Sequence, residues 1–526
     1  MDIENADVIV VGAGPTGLLL AAELGLAGLR PVVADRLAAR SPQTRALNLQ
    51  PRSAEVLDAR GLLEPLLARA GRIHGGHFGG IPVTLDYRRC ETRHPYQVAI
   101  SQTEVEAVLE DRLRDDVRRG WELTALESEG DGVTATFATP DGERRVRGRY
   151  LVGCDGAHSA VRRLGGFEFP GRTGMIPAAT ADVILLEGPP GLPRDLSDIA
   201  ADDAMSDLVA SAMRPRPGGG FTAVNPVSDG LYQIVFMGLP QFSIGLDAPV
   251  TEEEVRAALD DSFGTDVVFK EFLRGSRFTD SVRQAAHYRR GSLFLAGDAA
   301  HVHIPVGGQG LNLGLQDAFN LGWKLAAAVA GTAPDHLLDS YHAERHPVGA
   351  RVLAGTRAQG LLMAQGILAA GPAELQPMQE DLIALRDVLV GLAAVPEANR
   401  TLAEEIAGLG VRHAADEAAH PLLGRRMPDL DVTGADGPGR VARLTERGEG
   451  LLIDFGSVPA LGSAAEPWRD RVAHRVIRPV VPQDFAAALV RPDGHVCWLA
   501  DSPESSAVDS LVGALRHWFG EPACVS

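Results

Sequence analysis

The stretch Val8-Ile9-Val10-Val11-Gly12-Ala13-Gly14-Pro15-Thr16-Gly17, closed by Asp35, decides the fold. Four apolar β-formers run straight into a G-x-G-x-x-G turn, and an apolar helix (18–26) and a short strand (31–34) follow. Each glycine has its own task in such a unit. Gly12 makes the tight turn, Gly14 lets a pyrophosphate approach the backbone, and Gly17 lets the helix pack on the strand. Ala13, Pro15 and Thr16 complete the turn, and the helix start offers free N–H groups and a positive dipole end to phosphates. Asp35 stands roughly 20 residues on, the spacing of an acid that holds a ribose hydroxyl. Strand, helix and acid agree, so dinucleotide binding is the expectation; an ordinary βαβ turn is the bland alternative.

Around this unit lie 526 residues, too many for one core, so several domains are expected. Hydrophobic residues make up 45% of the chain, which predicts a globular protein. The net charge of −19 argues against nucleic acid and anionic membrane surfaces as partners, because both require basic patches. No apolar run reaches the roughly 18 residues of a membrane span, and the acidic N-terminus lacks a signal-peptide pattern. Cys90, Cys154, Cys497 and Cys524 form no C-x-x-C pair, so a reducing, cytoplasmic setting is expected. His301, His303, His342 and His346 have no carboxylate or cysteine companion at metal spacing, and no metal site is expected.

Downstream, 51–60 reads as a helix with Pro51 in its first turn, and Ser101-Gln102-Thr103-Glu104 as the capped start of another. Arg45 lies in a polar loop, either as a surface arginine or as a phosphate clamp. Segments 121–126, 132–138 and 145–151 predict a β-meander turned by Pro140-Asp141-Gly142. Segments 179–186, 221–227 and 231–237 predict an antiparallel sheet with Tyr232, Ile234 and Phe236 on one face. That face is plain core or one wall of a pocket for a flat ring. The connection 188–220 is long, with a helix expected at 204–213. A helix from Leu337 is expected to break near Pro347. Beyond a linker at 424–428, residues 432–526 read as a small α/β unit.

Two further landmarks repeat the pattern of strand running into glycine. One is Leu151-Val152-Gly153-Cys154-Asp155-Gly156-Ala157-His158-Ser159, where Ser159 can cap the next helix. In the other, Leu293-Phe294-Leu295-Ala296-Gly297-Asp298 is followed by Pro305 and by Gly307-Gly308-Gln309-Gly310-Leu311-Asn312, which opens a long helix. Glycines there offer backbone N–H groups to an anion or a polar ring edge.

Taken together, GAGPTG, CDGAHSAVR and LAGDAAHVHIPVGGQGLNLGLQDAFNLGWKL resemble the FAD-dependent aromatic hydroxylases. These are the single-component flavoprotein monooxygenases typified by para-hydroxybenzoate hydroxylase. The tail beyond 425 is similar to the thioredoxin-like C-terminal domain of the phenol and polyketide hydroxylase branch. It lacks a C-x-x-C, so redox work there is not expected. The resemblance implies an α/β protein in three parts. A Rossmann-like FAD-binding domain with an inserted β-meander takes 1–75, 97–170 and 280–400. An α+β middle domain with an antiparallel sheet binds substrate through 76–96 and 171–279, and the thioredoxin-like domain takes 425–526.

The resemblance also implies roles for individual residues. Gly12, Gly14 and Gly17 would face the FAD pyrophosphate, and Asp35 with Arg36 the adenosine. Arg45 and Gln102 match FAD-contacting positions, and Leu123 would meet the adenine through its backbone. Asp155-Gly156 would face both FAD and the nicotinamide cofactor, and Asp298 the ribityl chain. Pro305 and the turn Gly308, Gln309, Gly310, Leu311, Asn312 would lie along the isoalloxazine edge. Phe78, Phe221, Tyr232 and Phe236 are nominated as ring-facing.

The implied chemistry is reduction of FAD by NADPH or NADH, addition of O2 at the flavin C4a, and delivery of one oxygen by the hydroperoxide to a phenolic ring. Apolar and aromatic character and the arginine-rich composition suggest a polycyclic aromatic polyketide from an antibiotic pathway as substrate. Baeyer–Villiger insertion, inactivation of an antibiotic such as a rifamycin, and a flavin-loaded sequestering protein stay open. Members of this fold often pair, so a homodimer is an expectation that no stretch of sequence localises.

Overall fold

Strand β1 (Ile3–Val11) begins exposed and ends in Val8, Ile9, Val10 and Val11, all at most 5% exposed. Helix α1 (Pro15–Leu26) starts with Pro at its first turn, where the missing N–H costs nothing. It buries Leu18, Leu19, Leu20 and Leu24 completely, on the order of 2 kcal/mol each. The structure, a computed structural model, describes the chain except residues 1–2, 114–116, 131, 201–204, 218, 366–375, 414–419, 436, 457, 459, 502–505 and 523–526. Cys524, the start of the helix expected at 204 and the end of the chain lie outside the described residues.

β1 is central in an eight-stranded sheet. It pairs in parallel with β2 (Val32–Asp35) on one side and β3 (Gly142–Gly153) on the other, and β3 pairs in parallel with Leu293–Leu295. The register places Ala34, Val11, Gly153 and Leu295 in one row. All four strands therefore end at the same edge, the position where open α/β sheets bind ligands. β3 is one long strand that joins the expected segment 145–151 to the landmark beginning at Leu151. Residues 142–148 carry the antiparallel meander through Gly132–Thr139 and Glu122–Glu129, and residues 145–153 pair in parallel with β1.

The middle sheet contains β4 (Pro177–Glu187), β5 (Phe221–Ser228) and β6 (Leu231–Met237), close to the expected spans. Helix α2 (Glu252–Phe263) carries a capping box from Thr251 and Glu254 and covers one face. β7 (Val268–Thr279) completes the edge beside β4. Tyr232, Ile234 and Phe236 point into the α2 side, with Val255, Ala258 and Leu259, and are at most 1% exposed.

The long helix α3 (Gln309–Val329) packs on α1. Helix α4 (Asp339–Met363) runs straight through Pro347, contrary to the break expected there. Its buried residues on both sides of the proline, Tyr341, Glu344, Arg345, Val348 and Gly349, hold it by tertiary packing that outweighs one lost hydrogen bond. Helices α5 (Gln376–Ala393) and α6 (Pro396–Ala407) follow. The C-terminal unit has a four-stranded sheet, with Gly450–Asp454 parallel to Val472–Val476 and antiparallel to Ala487–Val490, and a closing helix, Ser506–Phe519. Among the described residues, no helix is long and apolar enough to cross a membrane.

Candidate active site

Hydrogen bonds step across the shared edge of the parallel strands. Gly12 N–H donates to the Ala34 carbonyl (2.7 Å), Cys154 N–H to Val11 (2.7 Å) and Ala296 N–H to Gly153 (3.0 Å). The three glycine landmarks therefore meet because their strands are neighbours. Gly12 has φ +105°, and a methyl group on it would overlap the Cys154 carbonyl. A methyl group on Gly17 would overlap the Gly12 carbonyl. Gly14, by contrast, has open space where a side chain would go, as does Gly156. Gly14 is the N-cap of α1 and Gly308, in the left-handed region, the N-cap of α3; neither helix start has a side-chain cap. Two N–H-rich helix ends thus lack protein partners of the usual kind.

The acids divide into two kinds. Asp35 accepts from Ala13 N–H and Leu37 N–H, both at 2.8 Å, and so ties the glycine turn to β2. The Asp155 carboxylate turns inward and accepts from Ser159 Oγ (2.5 Å), Ala160 N–H (2.6 Å) and Val161 N–H (3.0 Å). Burial raises its pKa, and these donors offset part of the rise. Asp298 is the other kind. It is exposed, on the turn Gly297–Ala299, facing Gly310 at the start of α3.

Arg45, Arg36 and Pro305 are exposed at the same edge. Gln102 N–H donates to the Ala46 carbonyl (2.8 Å), which brings Gln102 beside Arg45, and its amide donates to Glu106. Leu123 is buried on the strand that follows Trp121, whose N–H donates to the Asp35 carbonyl. Thr16 sits against both Gly297 and Gly314, which locks the first landmark to the third.

Several expected side-chain roles change. The Asn312 side chain faces inward, accepting from Gln50 N–H (2.7 Å) and donating to the Gly308 (2.6 Å) and Asn48 carbonyls. Gln309 is buried too, so the turn Gly308, Gln309, Gly310, Leu311 presents mainly backbone. Tyr232 and Phe236 are not ring-facing, because α2 covers their face of the sheet. Phe78 is not on that sheet at all; it packs with Ile81, Leu362 and Leu402. Of the four, only Phe221 lies on the face opposite α2, in a cluster with Ala178 and Met237. That face looks toward the 41–45 loop: Gln233 donates to the Thr44 carbonyl (2.6 Å), and Gln43 donates to Ser276 Oγ (3.0 Å).

The support behind the third landmark was missed in the sequence. Asp317 is wholly buried and accepts from Gly297 N–H (3.1 Å), His301 Nε2 (2.7 Å) and Arg345 Nε (2.8 Å). Burial alone would raise its pKa, yet Arg345 and His301 hold it below the ordinary carboxylate value. Gln50 donates to the Gly307 carbonyl (2.9 Å). One signal was visible: Asp317, Asn320 and Lys324 are polar residues at helical spacing in an apolar helix. Among the described residues, no group of His, Cys, Asp or Glu could hold a metal ion.

The FAD binding domain family matches residues 5–356, and the aromatic-ring hydroxylase C-terminal family matches residues 420–522. The chain belongs to the FAD-dependent aromatic hydroxylases. An enzyme of Streptomyces rimosus named 12-dehydrotetracycline 5-monooxygenase/anhydrotetracycline 6-monooxygenase is 42% identical over 525 residues, 98% of this chain and 99% of the relative. The rifampicin monooxygenase of Streptomyces venezuelae is 39% identical over 521 residues, 98% of each chain. The solved structure of the anhydrotetracycline hydroxylase OxyS from Streptomyces rimosus superposes with TM-score 0.85 at 40% identity, over 99% of this chain and 100% of that one. As a member of these hydroxylases the chain is a flavoprotein monooxygenase. The residues present fit FAD: open space at Gly14 and Gly156, uncapped helix starts, and an exposed carboxylate at Asp298 beside a backbone-lined turn.

Proposed function

We propose that this enzyme hydroxylates a polycyclic aromatic polyketide, with electrons from NADPH or NADH. The observation that carries this reading is the 42% identity, over 98% of the chain, to a relative named for monooxygenation of tetracyclines. Bound FAD supplies the electron transfer and oxygen activation. The chain's own residues bind, orient and exclude water. The amides at the start of α1, past Gly12, Gly14 and Gly17, hold the pyrophosphate. Asp35 and Arg36 take the adenosine ribose, with the Leu123 backbone at the adenine and Arg45 and Gln102 flanking the cofactor. The Asp155-Gly156 turn supplies backbone. Asp298 accepts from ribityl hydroxyls, and the backbone of Pro305 and of residues 308–312 lines the ring edge.

The face of the middle sheet opposite α2 then forms the substrate floor, with Phe221, Ala178 and Met237 as its apolar part. A flat ring buried there displaces water from the reacting edge. The test is a panel of anthraquinone-type, angucyclinone-type and tetracycline-type compounds under isotopically heavy O2. The expected result is ligand-stimulated NADPH oxidation and one heavy oxygen in the product. No stimulation by any member of the panel would overturn the reading. Oxygen inserted beside a ketone, rather than on the ring, would replace it with Baeyer–Villiger chemistry.

A further inference from the structure

The loop that leads into Arg45 is held from outside its own domain. Residues 38–45 form no helix or strand, and among the described residues no backbone–backbone hydrogen bond holds them. On the FAD-domain side Arg40 pairs with Glu110 at 3.3 Å, but its side chain is 44% exposed, and such a pair holds weakly. The middle sheet grips more closely. Arg274 donates to the Pro42 carbonyl (2.9 Å), Gln43 donates to Ser276 Oγ (3.0 Å), and Gln233 donates to the Thr44 carbonyl (2.6 Å). Pro42, Gln43 and Thr44 are thus stitched to the sheet immediately before Arg45. Asp182, 1% exposed, accepts from Arg274 (3.0 Å). Burial raises the Asp182 pKa, and Arg274 and the Thr44 N–H draw it back.

This grip and the apolar floor lie on one face of the same strands. Across β4, β6 and β7, Asp182 pairs with Gln233 and Arg274 in one row, and Ala178 pairs with Met237 and Phe278 in another. On each strand the polar residue stands four positions from the apolar one. An even spacing keeps both on the same face, with the rows about 13 Å apart. The apolar row packs with Phe221. The strands are hydrogen-bonded to one another between the rows, so a ring that presses on the floor presses on the mount of the loop.

We propose that Asp182 and Gln233 are positioning residues for the cofactor arginine. Asp182 through Arg274, and Gln233 directly, fix the loop against the middle sheet and so set where Arg45 stands. Arg45 belongs to the FAD domain by sequence but takes its place from the sheet. A ring on the floor and the arginine at the cofactor share one mount. The inference rests on the roles proposed above for Arg45 and for the floor.

The test is a double-mutant cycle on FAD affinity, with FAD titrated into the apo-protein and flavin fluorescence followed, beside tryptic mapping of the apo-protein. Arg45→Met weakens FAD binding at least about tenfold, the scale of one charge-assisted contact. Asp182→Ala and the milder Gln233→Met each weaken it at least about threefold with Arg45 present, the coupling of residues in one hydrogen-bonded network. In the Arg45→Met background neither has a further effect, whereas a merely structural role would add its loss to that of Arg45. In both single variants trypsin cuts faster than in wild type after Arg40 and Arg45, with its other sites unchanged. Should Asp182→Ala fail to fold, Gln233→Met decides by the same two readouts. Additive losses overturn the inference, as does unchanged cleavage after Arg40 and Arg45. So do single variants that bind FAD like wild type while Arg45→Met does not. If Arg45→Met itself binds FAD like wild type, the cofactor role of Arg45 falls and takes the inference with it.

Discussion

The cofactor edge and the junction with the C-terminal unit treat charge in opposite ways. At the edge, Asp298, Arg36 and Arg45 are exposed, and helix starts stand uncapped. At the centre of the junction the charges are buried and paired. Arg491, 2% exposed, grips Glu344 through two bonds of 2.5 and 2.8 Å and also bonds Asp493. Lys324 donates to Glu344 (2.8 Å), and Asn320 donates to Asp493 (2.9 Å). Arg60 bonds Glu23 and reaches the carbonyls of Thr445 and Pro492. The first region has the valences of a receptor whose partner comes from solution. The second found its partner within the chain, and there burial lowers the Lys324 pKa to about 8 although Glu344 opposes it.

The largest effect should come from breaking the junction. Glu344→Ala leaves Arg491 and Lys324 buried without their shared carboxylate and should cost about 3–5 kcal/mol in denaturant unfolding. Gly17→Ala sets a methyl against the Gly12 carbonyl, and the strain should cost about 1–3 kcal/mol. Flavin retention should fall with it, since the turn that must move is the one facing the pyrophosphate.

Asp298→Ala should behave differently. Its side chain is exposed, so apo-protein stability should hold within about 0.5 kcal/mol while FAD affinity drops at least about tenfold and the protein purifies colourless. Wild-type yellow protein from this variant would erase the contrast between the two regions.

The smallest effect is a pH slope. The rings of His413 and His495 lie 4.3 Å apart, tilted by 42°, inside the junction, facing Arg491, Asp493, Glu344 and Arg52. Burial depresses both pKa values, and for His413 the neighbouring His495 adds to it. The unfolded chain therefore takes up protons below about pH 6.5 that the folded chain refuses. Stability should be complete above that value and fall on acidification, by up to about 1.4 kcal/mol per pH unit for each histidine. His413→Phe should flatten the slope measured by thermal unfolding between about pH 5 and pH 7; an unchanged slope would place the titration elsewhere.

What was legible in the sequence was local. Gly12, Gly14 and Gly17 announce themselves because a turn, an open approach and a close helix contact each demand glycine within ten residues of a strand. The landmarks at Asp155 and Asp298 were legible for the same reason. The side of the middle sheet was not. Tyr232 and Phe236 alternate correctly, but which face becomes core depends on where α2, some 20 residues later, lies down. Asp155 and Asn312 look like ligand-facing polar groups in a motif, yet each spends its side chain on backbone groups that only the folded turn brings near. The junction was invisible because its partners are distant in sequence; Arg491 meets Glu344 across 147 residues.

The strand Gly142–Gly153 belongs to two structures at once. At about 3.3 Å per residue it is a rod of roughly 40 Å, from a solvent-washed hairpin tip to the turn that carries Asp155 and Gly156. Its far half is paired with β1 throughout and with Leu293–Leu295 at its end, and cannot slide alone. Inserting or deleting a residue in that half would slip the register and exchange inward for outward side chains. The tip at Pro140-Asp141-Gly142 can change length without moving the rod. Natural variation and grafted peptides should therefore be tolerated at one end of this strand and refused at the other.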